Sequence, residues 1–191
     1  MKFFFGLLLF FHSIALCAVE NIVDFENIEI TNEIYFVKGE DKPFSGKIIK
    51  IFGSSNKIEF EMEIKNGMPH GYYKEYYKNG QIKFDIMYKS GKVEGLFKEF
   101  FQNGNLKLVG NYKNGFRDGL IKIYYENGSL YNEAYYKIGL LHGIYKSFHE
   151  DRSPFTVSTY KDNLLEGKEF IYDKNGKLID ENFYKNGINI K

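Results

Sequence analysis

Four histidines, a single cysteine and an acidic stretch near Asp173 are the groups in this 191-residue chain whose types could do chemistry. His70 and His142 each stand just before a glycine, in a column otherwise filled by Ser45, Glu94, Asp118 and Glu166. Residues so varied share polarity and no reactivity, so the column reads as a solvated link in an exposed loop. His149 has no recurring acidic or nucleophilic neighbour, and no Cys–His spacing suggests zinc. "YDKNGKLIDEN" resembles a calcium loop only at first sight. With Gly176 at the turn, Ile171 and Asn182 fall where acidic ligands are required. No glycine-rich loop runs into a helix, as a phosphate cradle needs. Asn127-Gly128-Ser129 would accept a glycan only in a eukaryotic secretory pathway. The expectation is a protein that is not an enzyme, with no metal and no cofactor.

The composition narrows the partners. Charged residues are 27% of the chain and the net charge is +1, which disfavours nucleic acid. Aromatics reach 18% without tryptophan, beside 19 glycines and 3 prolines, a mixture suited to short strands and tight turns. Residues 1–18 carry Lys2, the apolar run Phe3 to Phe11, then small residues, the order of a secretory signal peptide. The run is too short for a transmembrane helix of about 20 residues. Cleavage after Ala15, Cys17 or Ala18 fits equally. Cys17, after Ile14-Ala15-Leu16, has the general shape of a lipoprotein acylation site, although Leu16 departs from it. The expected location is extracytoplasmic: secreted, periplasmic or at the cell surface. With at most one cysteine the mature chain has no internal disulfide.

These groups sit within a repeat. Gly46, Gly71, Gly95, Gly119, Gly143 and Gly167 anchor units 25, 24, 24, 24 and 24 residues apart. A second glycine column holds Gly80, Gly104, Gly128 and Gly176, and a third closes units at Gly67, Gly91, Gly115, Gly139 and Gly187. Five residues after the anchor stand Ile51, Tyr76, Phe100, Tyr124, Phe148 and Tyr172. Towards the end of each unit comes Ile64, Tyr88, Tyr112, Tyr136, Tyr160 or Tyr184, followed always by lysine: Lys65, Lys89, Lys113, Lys137, Lys161 and Lys185. Residues 46–191 are therefore a tandem array, and 19–45 an N-terminal segment with a partial repeat and a possible strand within 28–37.

Each unit reads as two strands. "IEFEMEIK" alternates apolar and charged residues without a break. Asn79-Gly80 and its equivalents suit a two-residue type I′ turn, which needs positive φ at both positions. That turn sets Tyr77 against Ile82, Glu75 against Phe84, Tyr73 against Ile86 and Lys74 against Asp85, and later Lys122 against Glu133. Aromatic and opposite-charge partners meet, each pair contributing about 0.2–1 kcal/mol. The same register places Tyr76 with Lys74 and Lys83, away from Ile82, Phe84 and Ile86. In the unit from Gly143, Arg152, Pro154 and Asn163 replace the usual residues, so a distorted turn is expected.

The pattern "YKNGFRDGLIKIYYENGSL", recurring over residues 36 to 187, resembles the MORN-repeat-variant family of bacteria, which includes YwqK-like antitoxins. The resemblance implies β-hairpins side by side in an elongated, single-layer antiparallel sheet, an all-β fold. It implies interaction or scaffolding as the role, with membrane-surface binding proposed for the parent repeat, and supplies no catalytic residues. The expected function is a secreted module that binds or scaffolds an unknown protein partner. Binding of cell-envelope carbohydrate or an anionic membrane surface, and neutralisation of a toxin, are the alternatives. Two columns are candidate binding residues: the aromatics Tyr76, Phe100, Tyr124, Phe148 and Tyr172, expected as an exposed row, and the six lysines 65, 89, 113, 137, 161 and 185. Packing of the rings and a solvated lysine rim against sheet stacking are the competing roles.

Overall fold

A computed structural model describes residues 21–191. The signal-peptide and acylation readings at 1–18 lie outside the described residues. Short strands β1 (Ile22–Asp24), β2 (Ile28–Thr31) and β3 (Ile34–Val37) precede β4 (Gly46–Ile51). Strands of eight and nine residues then alternate: β5 (Ile58–Lys65), β6 (Met68–Tyr76), β7 (Ile82–Lys89), β8 (Lys92–Phe100), β9 (Leu106–Lys113), β10 (Phe116–Tyr124), β11 (Leu130–Lys137), β12 (Leu140–Phe148), β13 (Pro154–Lys161), β14 (Leu164–Tyr172) and β15 (Leu178–Lys185). The two-residue β16 (Ile188–Asn189) ends the array.

From β4 onward every strand pairs with its sequence neighbour, antiparallel, in one 14-stranded sheet that β1 joins in parallel beside β4. At about 4.8 Å per strand the sheet extends about 60 Å along the pairing direction. The expected central register is found: Tyr73 opposes Ile86, Lys74 opposes Asp85, Glu75 opposes Phe84, and Lys122 opposes Glu133.

The turns differ from expectation in a way that matters. Tyr77 N–H donates to the Gln81 carbonyl, and Gly80 N–H to the Tyr77 carbonyl, both at 2.8 Å. Of residues 78 to 80 only Gly80 has positive φ, at 91°. This is a three-residue loop, a type I turn closed by a left-handed glycine. The type I′ turns lie instead at the seams between units, at Asn66-Gly67, Ser90-Gly91, Asn114-Gly115, Ile138-Gly139, Asp162-Asn163 and Asn186-Gly187, where both φ are positive. Asn-Gly serves both geometries, and the number of residues left unpaired decides between them.

The longer loop shifts the register between Glu75 and Tyr76, and at the equivalent point of each unit. The shift reverses sidedness. Tyr76 therefore pairs with Ile82, and Lys83 turns to Glu75 on the other face, 2.6 Å away, which corrects the expected grouping of Lys83 with Tyr76 and Lys74. The turn at 150–152 is undistorted despite its sequence. His149 N–H donates to Ser153 at 2.8 Å, Arg152 N–H to His149 at 2.9 Å, and Arg152 takes the glycine's conformation at φ 75°.

One face of the sheet is its core. Ile48, Met62, Tyr73, Ile86, Phe97, Gly110, Ile121, Ala134, Tyr145, Ser158, Glu169 and Asn182 oppose one another in a continuous cross-strand row. Ile121 is only 1% exposed because it lies over Gly110, where a Cβ would collide with its Cδ1. Burial of such a side chain contributes about 1.5–3 kcal/mol. Rings fill the flanks, with Phe97 and Tyr112 centred 5.1 Å apart. At the N-terminal end the expected single strand is a hairpin, β2–β3. Its Ile28 joins Phe44, Ile48, Met62 and Ile64 in the main buried cluster. At the other end the row turns polar, as terminal units of a repeat array must.

The second face carries charge. Glu61, Lys74, Asp85, Lys98, Val109, Lys122, Glu133 and Lys146 oppose one another in turn, and Glu133 lies 3.7 Å from Lys122 and 3.5 Å from Lys146.

Candidate binding surfaces

The strands end on two rims. On the seam rim five of the six type I′ turns between units are held by the preceding unit through the residue before the anchor glycine. Ser45 Oγ accepts from Asn66 N–H at 2.8 Å, Glu94 Oε2 from Asn114 N–H at 2.7 Å, and Glu166 Oε2 from Asn186 N–H at 2.8 Å. His142 Nδ1 lies 3.1 Å from Asp162 Oδ1. The column read as a solvated link is a clamp between repeats. Its histidines take part in turn packing.

On the opposite rim asparagines do the joining. Asn79 Oδ1 accepts from Gln81 N–H at 3.1 Å while its Nδ2 donates to the Gln102 carbonyl at 2.9 Å. Asn103 reaches the Glu126 carbonyl at 3.1 Å in the same way. Tyr77 and Tyr125 hydroxyls donate to the carbonyls of Phe100 and Phe148, at 2.8 and 3.0 Å. The second glycine column and its asparagine thus set spacing as well as turn shape.

The five aromatics Tyr76, Phe100, Tyr124, Phe148 and Tyr172 occupy one position per unit at the register shift, but all are half-buried, so the exposed row expected of them is absent. The Tyr76 hydroxyl donates to Glu61 Oε1 at 2.7 Å, and burial together with that carboxylate pushes its pKa up to about 12. The tyrosine column lies on the buried face. Tyr112 and Tyr136 hydroxyls there accept from the Arg117 guanidinium at 3.2 and 3.4 Å.

Lys65, Lys89, Lys113, Lys137, Lys161 and Lys185 are exposed, one at the end of each strand leading into a seam turn. Among the described residues none of the six forms an ion pair. Opposite the last four stand Phe116, Leu140, Leu164 and Ile188, all exposed. Each follows the last residue of its seam turn, Gly115, Gly139, Asn163 or Gly187, at a constant offset visible in the sequence. Ile138, in the seam turn between Lys137 and Gly139, is 66% exposed at φ 51°. A β-branched residue in the left-handed region is a genuine outlier. The equivalent positions in the first units hold half-buried Met68 and exposed Lys92, so the apolar stripe belongs to the C-terminal half.

An array of hairpins at a 24-residue spacing, each bonded to its neighbours alone, defines a β-repeat protein with extended faces. Residues 69–90, 93–114, 117–137 and 165–186 match the family described as MORN repeat variant, and the chain belongs to that family. The unmatched unit between them is the one carrying Arg152, Pro154 and Asn163. A search of curated proteins found no match. Among solved structures, a chain in "Crystal structure of GtfA/B complex bound to UDP and GlcNAc" is similar at 14% identity and a TM-score of 0.25. The match takes in 58% of this chain and spans 22% of that one.

Proposed function

We propose that the protein is a secreted, non-enzymatic module that binds and scaffolds a protein partner outside the cytoplasm. The observation that carries this reading is the stripe Phe116, Ile138, Leu140 and Leu164 along one rim, exposed on a sheet held rigid by repeated turn clamps. A contiguous apolar strip kept in water marks an interaction site. Ile138 keeps its strained backbone where asparagine would relax it, which supports selection for contact over stability. The test is pull-down from cell-envelope extract. Wild type captures a defined protein, and a Phe116→Ser, Leu140→Ser, Leu164→Ser variant of unchanged circular dichroism does not. Equal capture by both overturns the reading.

A second reading draws on the lysines beside the same stripe. Unpaired cations flanking apolar side chains also suit an anionic membrane surface. Pelleting with phosphatidylglycerol vesicles that disappears at high salt would favour this reading, since screening weakens exposed charges.

A further inference from the structure

We infer that the buried face opens, between β11 and β14, into a site for a neutral hexopyranose unit of a glycan. This inference is independent of the rim stripe. A cavity of about 460 Å³ lies there, within the range of about 300–1,000 Å³ common for small-ligand sites. Changes along the repeat accompany it. Glu169 stands where other units have Tyr73, Phe97, Ile121 and Tyr145, Ser147 where they have Glu75 and Glu99, and Ser158 puts a hydroxyl in a column of Met62, Ile86, Gly110 and Ala134. The ion pairs that cover this face earlier, Glu75–Lys83 and Glu99–Lys107, become Ile123 with Tyr131 and Ser147 with Phe155.

The polar atoms left in the cavity point to the ligand. Ser158 is 2% exposed and its Oγ has no hydrogen bond of proper geometry among the described residues. Its neighbour is the Tyr160 hydroxyl, through a weak side-chain hydrogen bond that opposes the rise burial gives that phenol's pKa. His149 Nε2 is likewise buried without a partner. Buried polar atoms in folded proteins find partners, so an orphaned imidazole nitrogen beside a weakly bonded serine hydroxyl indicates groups that a ligand satisfies. Glu169, which also accepts from the Tyr184 hydroxyl, adds a carboxylate acceptor, and the Tyr145 hydroxyl, shared with Asn132 and Ser147, lines the wall. Tyr131 and Phe155, both exposed at the mouth, offer apolar rings.

A sugar ring matches this set. Its C–H face packs on the rings, and each hydroxyl both donates and accepts, which serves the serine, imidazole and carboxylate together. An anion would meet Glu169 inside, with Glu150 and Asp151 at the adjoining cavity. An ammonium would suit the rings and Glu169 but leave the orphaned atoms unserved.

The test is titration of the protein, followed by NMR, with neutral α- and β-linked hexose oligosaccharides and with choline chloride. At least one oligosaccharide saturates with a Kd of about 1 mM or tighter. Tyr131→Ala and Phe155→Ala, at exposed positions that leave folding intact, each weaken it about tenfold, while Leu140→Ser on the rim has no effect. Absence of saturation by every oligosaccharide, saturation by choline instead, or binding indifferent to both ring substitutions would overturn the assignment.

Discussion

The Asn79 side-chain amide donates to the Gln102 carbonyl at 2.9 Å, tying the turn of one repeat to the turn of the next. Its other atom, Oδ1, accepts from Gln81 N–H, so both ends of one amide are used. Asn79→Asp keeps the acceptor and removes the donor. The turn should survive, because Asp151 fills the equivalent position in another unit, where its Oδ1 accepts from Ser153 N–H at 2.9 Å. The lost bond should cost about 0.5–1.5 kcal/mol, read as a lower urea midpoint with an unchanged circular dichroism spectrum.

Arg152 and Ile138 hold left-handed backbone that glycine or asparagine would hold more cheaply. Arg152→Gly should raise stability by about 1 kcal/mol, and Ile138→Asn by a similar amount. Asn66, Asn114 and Asn186 already fill the Ile138 position in other units with φ of 51–53°. Differential denaturation would show both gains. Only Ile138→Asn should also weaken partner capture, which separates strain kept for binding from strain without use.

Lys50–Glu59, at 3.3 Å, has the opposite polarity to Glu99–Lys107, at 2.6 Å, at equivalent positions. The site therefore accepts either arrangement. Glu99→Lys and Lys107→Glu should each lower stability by about 0.2–1 kcal/mol, and the double exchange should recover most of it. Failure of the double variant to recover would mean that the backbone fixes which strand carries the cation.

Alkaline pH should weaken the fold through its tyrosines. Burial and the Glu61 carboxylate raise Tyr76 from 10.0 to about 12, and burial raises Tyr73 and Tyr88 as well. A phenol with a raised folded pKa contributes its full stabilisation below pH 10 and loses it as pH climbs through the folded value. The denaturation midpoint should hold to about pH 10 and fall between pH 10 and 12. Tyrosinate absorbance should rise in two phases, with the second accompanying unfolding.

The strand pairing was legible because alternation is local: Lys74 meets Asp85 and Tyr73 meets Ile86 in any register that keeps apolar residues together. The turn type was not legible, since Asn-Gly suits loops of two and of three residues. That ambiguity propagated to Lys83. One extra unpaired residue reverses its sidedness, so it meets Glu75 instead of lying with Tyr76 and Lys74. The half-burial of Tyr76 reflects a neighbour on the preceding strand, Glu61, that alternation along one strand does not reveal. The cavity near Ser158 was hidden for another reason. It arises where the columns at 147 and 169 lose bulk on either side of the small Ser158, and adjacency across strands is invisible until the sheet is assembled.

Sequential pairing also fixes how the protein answers a pulling force. β1 and β16 lie at opposite ends of the sheet, so tension between them acts along the inter-strand hydrogen bonds. Each hairpin is then peeled from its neighbour in turn, with the bonds of one boundary loaded before those of the next. The chain should lengthen in a series of small yields, about 24 residues at a time, and recoil by the same steps when released. A protein fixed at one end to a surface and at the other to a partner would behave as a tether with graded compliance.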